Sequence, residues 1–288
     1  MSTTDISFAN GTVSLKVLGK SGNFRIANGT KFILFTLDRL QEVDTTGKKV
    51  QSVNPQVFKS ALNWGPVTPD VMIPGSTVAA TMVQLNSSFV LGKPGNDKTT
   101  TTTAPSNITF NLTVYIAKES GTYIFANSTF PVNANDVKYT ISVSNWPFVS
   151  TTNMLQFGLT MRTNTTGSTG TNTVKTKTNP TSASIAVGGA IINAPLSAII
   201  DDNVTNNVLT STYGNGSGIQ FNFPSFAKSL VYDPTIDTSG TTNISTYITP
   251  TTDSCGTTVV GGDTSLVTPD TTYVPLIVKE DTPIHYFK

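Results

Sequence analysis

The residues that carry most enzymatic and metal chemistry are nearly missing from this 288-residue sequence. It contains one His, one Cys and three Glu, and general acid–base catalysis and zinc binding draw heavily on these residue types. His285 lies close to the C-terminus, where chains are least ordered, so it is a poor base for a Ser-His-Asp site. The patterns G-x-S-x-G, G-x-x-x-x-G-K-[ST] and G-x-G-x-x-G are absent. We therefore predict a protein that is not an enzyme and binds no cofactor.

Oxygen ligands for a hard cation occur at two places. The run Asp201-Asp202-Asn203 could hold Ca²⁺ from a loop, and Asp233 with Asp237 forms a weaker second candidate. A solvated acidic turn is the preferred explanation of both places, so no metal site is assigned. The glycine-rich stretch from Gly214 to Gly218 resembles a ligand cradle but is typical of a tight hairpin turn.

Aromatic residues raise the alternative of a sugar-stacking surface. Such a surface could be formed by Trp64, Trp146, Tyr115 and Tyr123. Aromatic side chains on sheets more often pack in the core or at an edge. Trp146 is followed by Pro147 and Phe148, which favours a buried plug at a corner of the fold.

Composition predicts strands rather than helices. The chain carries 50 Thr, 27 Ser and 24 Asn against three Glu and three Arg; Thr suits a pleated surface, whereas Glu and Arg suit exposed helix positions. The formal net charge is +1 without a basic cluster, which argues against nucleic acid as a partner. No apolar run reaches the length of a membrane-spanning helix. Cys255 has no internal disulfide partner, as expected in a reducing compartment or in a surface protein large enough to need no disulfide.

Strict alternation identifies the clearest strands. Every even position from Ile108 to Ile116 is apolar, and the odd positions from Asn107 to Tyr115 are predicted to face solvent. Similar alternation occurs at 137–143 and 155–161. We expect a bulge or bend near Asp38-Arg39. We also expect the strand to end or bend at Pro147, which cannot donate to a central ladder.

The remaining elements are less regular. Ser120-Gly121 is predicted to turn the preceding strand into a hairpin with 123–130, and 57–64 is predicted to be a helical turn or irregular crossing. Residues 164–182 are Thr/Gly-rich and indicate a long exposed loop. One strand is expected at 185–192 and a short helix at 195–201.

Together these elements predict an all-β fold, a β-sandwich with jelly-roll-like order as one form of it. We expect the sandwich to span residues 1–234, with long Thr/Gly-rich loops. Residues 235–288 are predicted to form an extended C-terminal tail with one or two strands, at 257–260 and 273–278.

Ten N-x-S/T sequons are candidate glycosylation sites, whereas about six or seven would arise by chance from this composition. The sequence leaves two explanations open: the sequons are glycosylated, or their number is an accident of the composition. They are Asn10, Asn28, Asn86, Asn107, Asn111, Asn127, Asn164, Asn203, Asn215 and Asn243.

An apolar segment late in the tail is the candidate surface for self-association. It contains Tyr273, Val274, Leu276, Ile277 and Val278. An exposed apolar strand must pair with something. It either closes its own sheet or adds to the sheet of a neighbouring copy, which would build an oligomer or filament.

Two segments carry a resemblance to a known class of protein. The first is FILFTLDRLQEVD at 32–44, followed by Gly47-Lys48-Lys49-Val50 and Trp64; the second is VKYTISVSNWPF at 137–148, followed by 155–159. They resemble β-rich domains of secreted or surface-anchored proteins of microbes and protists. The resemblance implies an extracellular location and carries over no catalytic residue.

Three functions follow as hypotheses. The first is a non-enzymatic structural or adhesive surface protein, extracellular or at the cell surface, that self-associates as a homo-oligomer or filament. The second is a viral or phage coat, decoration or fibre protein at the virion surface, which would explain an N-terminus without a signal peptide. The third is a glycan-binding module.

Overall fold

A computed structural model describes residues 5–60, 62–89, 91, 107–163, 175–178, 182–187, 190–214, 218–238, 251–252 and 258–259. The chain divides into two compact units, Met1–Ile244 and Ser245–Lys288. Among the described residues no helix is long and apolar enough to cross a membrane. A single helical turn, α1 (Val57–Ser60), stands at the place predicted for it.

The strands are numbered in chain order. The first half of the chain contains β1 (Ile6–Asn10), β2 (Val13–Val17), β3 (Asn23–Asn28), β4 (Lys31–Val43), β5 (Lys49–Ser52), β6 (Thr68–Met72), β7 (Ala79–Phe89), β8 (Ile108–Ala117), β9 (Gly121–Phe125), β10 (Ser128–Val132) and β11 (Val137–Ser144). The second half contains β12 (Met154–Thr163), β13 (Lys175–Thr178), β14 (Ser182–Val187), β15 (Ala190–Pro195), β16 (Ala198–Ile200), β17 (Asn203–Thr205), β18 (Leu209–Tyr213), β19 (Gly218–Pro224), β20 (Ser229–Tyr232), β21 (Thr235–Asp237), β22 (Thr251–Thr252) and β23 (Thr258–Val259).

Two large antiparallel sheets form the first unit. In the described residues, the first sheet has the order β1-β2-β3-β4-β12-β19-β18, with β5 beside one end of β4. The second sheet is centred on β11, which pairs with β8 on one side and with β20 and β21 on the other. The strands β7 and β6 extend this sheet beyond β8, and β13 to β17 extend it on the other side. The predicted all-β sandwich is confirmed.

The core lies between the two sheets. Phe110 of β8 stacks on Phe157 of β12 with ring centroids 5.9 Å apart, and Phe221 of β19 contacts Tyr232 of β20 at 5.1 Å. Each pair joins one sheet to the other. The apolar residues that β8, β12, β19 and β20 contribute to these pairs therefore face the opposite sheet, as the alternation in sequence requires.

Several local predictions are confirmed. Ile108, Phe110 and Leu112 are buried in the core, whereas Asn107 is exposed and Asn111 half-exposed. The bulge predicted near Asp38-Arg39 is present, because the pairing of β12 with β4 passes from Arg39 directly to Leu37 and leaves Asp38 as the extra residue. Strand β11 ends at Ser144, before the proline.

The hairpin predicted at Ser120-Gly121 is wrong. Strand β9 does not pair with β8 but with β10, and the tight turn lies at Ala126-Asn127, both with positive φ. The β9–β10 hairpin covers part of the outer face of the second sheet. Consequently Tyr115, which was predicted to face solvent, is 7% exposed. Thr113, predicted to do the same, is also 7% exposed and accepts a hydrogen bond from the Gln84 side chain.

Three further predictions in the second half are wrong. The helix expected at 195–201 is the strand β16, whose pairing with β20 outweighs local helix propensity. The single strand expected at 185–192 is divided between the antiparallel partners β14 and β15. Within the loop expected at 164–182, Lys175–Thr178 forms β13 and pairs with β14.

The beginning of the predicted tail contributes to the sandwich. Strand β21 pairs with Val137-Lys138 of β11 and with β15. The division expected after residue 234 stays a prediction. In the second unit β22 and β23 pair with each other, at a position that overlaps the strand predicted at 257–260. The strand predicted at 273–278 lies outside the described residues.

Candidate functional site

A second apolar cluster lies on the outer face of the second sheet, beneath the β9–β10 hairpin. Tyr123, Phe125 and Phe130 of the hairpin pack there with Tyr115 and Ala117 of β8. The rings of Tyr123 and Phe130 stack with centroids 5.4 Å apart. The hairpin therefore acts as a lid over polar side chains that the sheet would otherwise expose.

A charged pair is enclosed under this lid. The ammonium group of Lys138 on β11 contacts Oδ1 of Asp233, which lies between β20 and β21. The Lys138 side chain is 0% exposed and that of Asp233 is 6% exposed. Nothing in the sequence signalled this pair, because the partners are 95 residues apart.

One hydroxyl group connects the two charges. Lys138 Nζ donates to Thr140 Oγ1 at 3.1 Å, and Thr140 Oγ1 donates to Asp233 Oδ1 at 2.6 Å. Lys138 and Thr140 share a face of β11 because they are two residues apart. We name Lys138, Thr140 and Asp233 the buried triad.

Aromatic rings form the walls around the buried triad. The Lys138 ammonium lies 5.3 Å from the ring centroid of Tyr115 and 5.0 Å from that of Tyr123, within the range of cation–π attraction. The Tyr123 hydroxyl donates to the backbone carbonyl of Asp233 at 3.2 Å. The triad is therefore screened from water on the side that faces the hairpin.

Burial shifts the acid–base behaviour of this region. The pKa of Lys138 is lowered because desolvation outweighs the attraction of Asp233. Burial and the charge of Asp233 raise the pKa of Tyr115 to about 12. Burial also raises the pKa of Asp136 to about 7, although the backbone N–H of Asn133 donates to its carboxylate.

A second buried carboxylate belongs to Glu42, at the end of β4. It accepts hydrogen bonds from the side chains of Gln51, Trp146 and Asn153 and from the backbone N–H of Val149. Trp146 is buried and contacts the ring of Phe148 at 6.4 Å. The predicted role of Trp146 as a corner plug is confirmed.

The predicted sugar-stacking surface is not formed by the four aromatic residues proposed for it. Tyr115, Tyr123 and Trp146 are buried. Trp64 is half-buried, and its indole N–H donates to the carbonyl of Ser21 at 3.1 Å. These rings pack within the protein, so they do not form a surface on which a sugar could stack.

Asp201 and Asp233, two of the acidic residues weighed as calcium ligands, have structural partners. Both carboxylate oxygens of Asp201 accept backbone N–H groups, from Ala227, Lys228 and Ser229 at 2.6–2.9 Å. Asp233 belongs to the buried triad. Among the described residues no group of three or more His, Cys, Asp or Glu side chains could hold a metal ion.

The sequons occupy different environments. Asn86, Asn107, Asn127 and Asn203 are exposed, and Asn111 is half-exposed on β8. The Asn10 amide donates to Ala117 O and to Asn135 Oδ1, and the Asn28 amide donates to Thr238 O. The candidates outside the described residues are Asn164, Asn215, Asn243 and the whole association segment, Tyr273, Val274, Leu276, Ile277 and Val278.

A comparison with protein families adds an independent finding. Residues 19–156 match the family model described as acidic skeletal organic matrix protein, a secreted family associated with biomineralization. Over these residues the chain is similar to skeletal matrix proteins. The match covers just under half of the chain and runs from β3 into β12, so it includes strands of both sheets.

The match refines what the resemblance implied. It agrees with the extracellular location expected from the sequence, and it is loosely consistent with a non-enzymatic structural role. It does not confirm a likeness to surface domains of microbes and protists, and it lends no support to a virion protein. One difference from the family's description is plain: this chain has 17 acidic residues against 18 Lys and Arg, so it is not acidic.

Proposed function

We propose that this protein is a non-enzymatic structural component of an extracellular organic matrix. The observation that carries the proposal is the match of residues 19–156 to skeletal organic matrix proteins. The matched span holds the hairpin lid, strand β11 with Lys138, and the Glu42 corner. The similarity therefore covers a large part of the framework of the sandwich.

The use of charged side chains supports a structural role. Internal contacts that join one part of the fold to another are made by the Lys138–Asp233 pair, by Glu42 and by Asp201. Such contacts fix conformation rather than present reactive groups to a substrate. The balanced charge further suggests a protein that builds the organic framework, because it lacks the excess of carboxylates that would attract calcium.

Fractionation of the natural extracellular material tests this proposal. The material is demineralised with a chelator, and the insoluble organic residue and the soluble extract are analysed by quantitative mass spectrometry. We expect the chain to be enriched in the insoluble residue relative to a cytosolic marker protein. Recovery of the chain with cytosolic proteins alone would contradict an extracellular structural role.

We also propose that the protein self-associates. The apolar segment Tyr273–Val278 is predicted from the sequence to be a strand, and such a strand can add to the sheet of a neighbouring copy through main-chain hydrogen bonds. Deletion of 264–288 should leave a folded monomer, whereas the full chain should assemble as its concentration rises. Light scattering and circular dichroism measure the two properties. A full chain that stays monomeric at every concentration, or a truncated chain that unfolds, would refute assembly by this route.

Glycans are proposed on the exposed sequons. Asn86, Asn107 and Asn127 can carry a sugar without loss of a buried contact, whereas a sugar on Asn10 would replace one of the two hydrogen bonds of its amide. Glycopeptide mapping of the secreted protein should find the exposed sites occupied and Asn10 bare. The reverse pattern, or a chain with no N-linked sugar, would contradict this assignment.

A further inference from the structure

The buried triad combines an amine and a carboxyl group in contact, away from water. An ion pair in such a place is costly, because the loss of hydration of two charges can exceed their mutual attraction. A Lys ammonium and an Asp carboxylate can also react by condensation when both lose their charge. The geometry needed is contact between the amine nitrogen and the carboxyl group, which Lys138 and Asp233 have.

We propose that Lys138 and Asp233 become joined by an intramolecular isopeptide bond that forms within the folded chain. The Lys138 nitrogen attacks the carboxyl carbon of Asp233, a carbon–nitrogen bond forms, and one carbon–oxygen bond breaks. The departing oxygen leaves with two protons as water. The ammonium and carboxylate together lose one molecule of water and become one neutral amide, so atoms, charge and electrons balance without an oxidant or other reactant.

Thr140 provides the proton path for this step. Its hydroxyl accepts from the Lys138 nitrogen and donates to Asp233 Oδ1, so one proton can pass from the amine to the hydroxyl as another passes to the carboxyl oxygen. The acceptor, Oδ1, is the oxygen that would leave as water. Thr140 is therefore a positioning and relay residue, and its hydroxyl is the atom on which the rate should depend.

The surroundings favour the uncharged amine. Tyr115 and Tyr123 exclude water over the pair, and low polarity disfavours charge on an amine. The lowered pKa of Lys138 agrees with this, since a larger fraction of the amine is neutral and nucleophilic. The neutral amide that results removes the cost of two buried charges.

The bond would give this sandwich a covalent cross-link. It would connect the beginning of β11 to the junction of β20 and β21, closing a loop between partners 95 residues apart. The chain has one Cys and so cannot form an internal disulfide. An amide cross-link resists reduction, and it would suit a protein that must keep its shape outside the cell.

Mass spectrometry of the folded full chain tests the proposal directly. We expect the intact mass to be one water below that of the sequence. Digestion should yield one branched peptide that joins the segments containing Lys138 and Asp233, which distinguishes the cross-link from dehydration of a single Asp. The variants Lys138→Arg and Asp233→Ala should each have the mass calculated from their own sequence, without loss of water. Lys118→Arg is the matched control, because Lys118 forms an exposed ion pair with Asp70 and its replacement should leave the cross-link intact.

The role of Thr140 is tested by kinetics. Chain isolated from inclusion bodies, which has not folded and so has not formed the bond, is refolded by dilution, and the loss of water is followed over time. Thr140→Val keeps the shape of the side chain and should slow the reaction at least tenfold, whereas Thr140→Ser should retain most of the rate. Circular dichroism shows whether each variant has refolded. A folded wild-type chain with its full mass overturns the cross-link, and equal rates for the Val and Ser variants overturn the relay.

Discussion

The buried carboxylate of Glu42 accepts a hydrogen bond from the indole N–H of Trp146 at 3.3 Å. Glu42 is the penultimate residue of the long strand β4 of the first sheet, and Trp146 follows β11 of the second sheet. The contact lies where the chain crosses from one sheet to the other before it enters β12. Glu42 therefore holds a corner of the sandwich with four neutral donors.

Replacement of Glu42 by Gln should destabilise the protein by about 3 kcal/mol. The new amide group would place N–H groups against donors that need an acceptor, and buried hydrogen bonds to a charged group are worth roughly 1.5–3 kcal/mol. The free energy of unfolding in urea measures the effect. Glu119→Gln is the control, because Glu119 is exposed and accepts from the backbone of Ala79; it should change stability by no more than about 0.5 kcal/mol. Equal losses of stability in the two variants would contradict a stabilising role for Glu42 at this corner.

The alternation in β8 predicts unequal costs for neighbouring substitutions. Phe110 is fully buried and contacts the rings of Phe58, Phe89 and Phe157. Phe110→Ala should cost about 3–5 kcal/mol through lost burial and a cavity. Asn111→Ala, on the opposite face, should cost less than about 1 kcal/mol. Chemical denaturation of both variants checks the register, and similar costs would show that it is wrong.

Asp136 should make stability depend on pH. Its pKa is raised to about 7 in the folded protein, chiefly by burial, from an ordinary value of 3.8. The protonated form is therefore favoured by folding. This contribution is fully present below about pH 4 and is lost as pH rises to about 7, by on the order of 2–4 kcal/mol.

The variant Asp136→Asn isolates this effect, because it stays neutral and keeps an acceptor oxygen for the Asn133 N–H. Its stability relative to wild type should rise between pH 4 and 7 and then level off. Other carboxyl groups, including the nearby Asp237, are present in both proteins. A constant difference across this range would contradict the shifted pKa.

Asp201 should stabilise the loop before β20 without any metal. Asp201 and Asp202 both have positive φ, of 50° and 66°, so Ala substitution strains the backbone at either position. Only at Asp201 would it also remove bonds to the three backbone N–H groups described above. We expect Asp201→Ala to lower the free energy of unfolding in urea by about 2 kcal/mol more than Asp202→Ala does. A clear rise in melting temperature with added Ca²⁺ would argue instead for a cation site.

Local patterns in the sequence determined the most regular strands and several of their ends. The alternation at 107–116 set which side chains of β8 face the core, and Asn145-Trp146-Pro147 ended β11, because period two and the missing proline N–H act within a few residues. The same patterns determined the all-β class, since few residues suited to exposed helices are present.

Tertiary structure decided where the polar groups meet. Tyr115 was assigned to solvent by its position in β8, yet the β9–β10 hairpin buries it. The local sequence of β9 or β10 does not predict which face of the sheet the hairpin covers. Ala198–Ile200 became a strand because β20 lies beside it. Lys138 and Asp233 became neighbours only when β11 paired with β20 and β21, because sheet register joins residues that are distant in sequence and no local pattern records such a pairing.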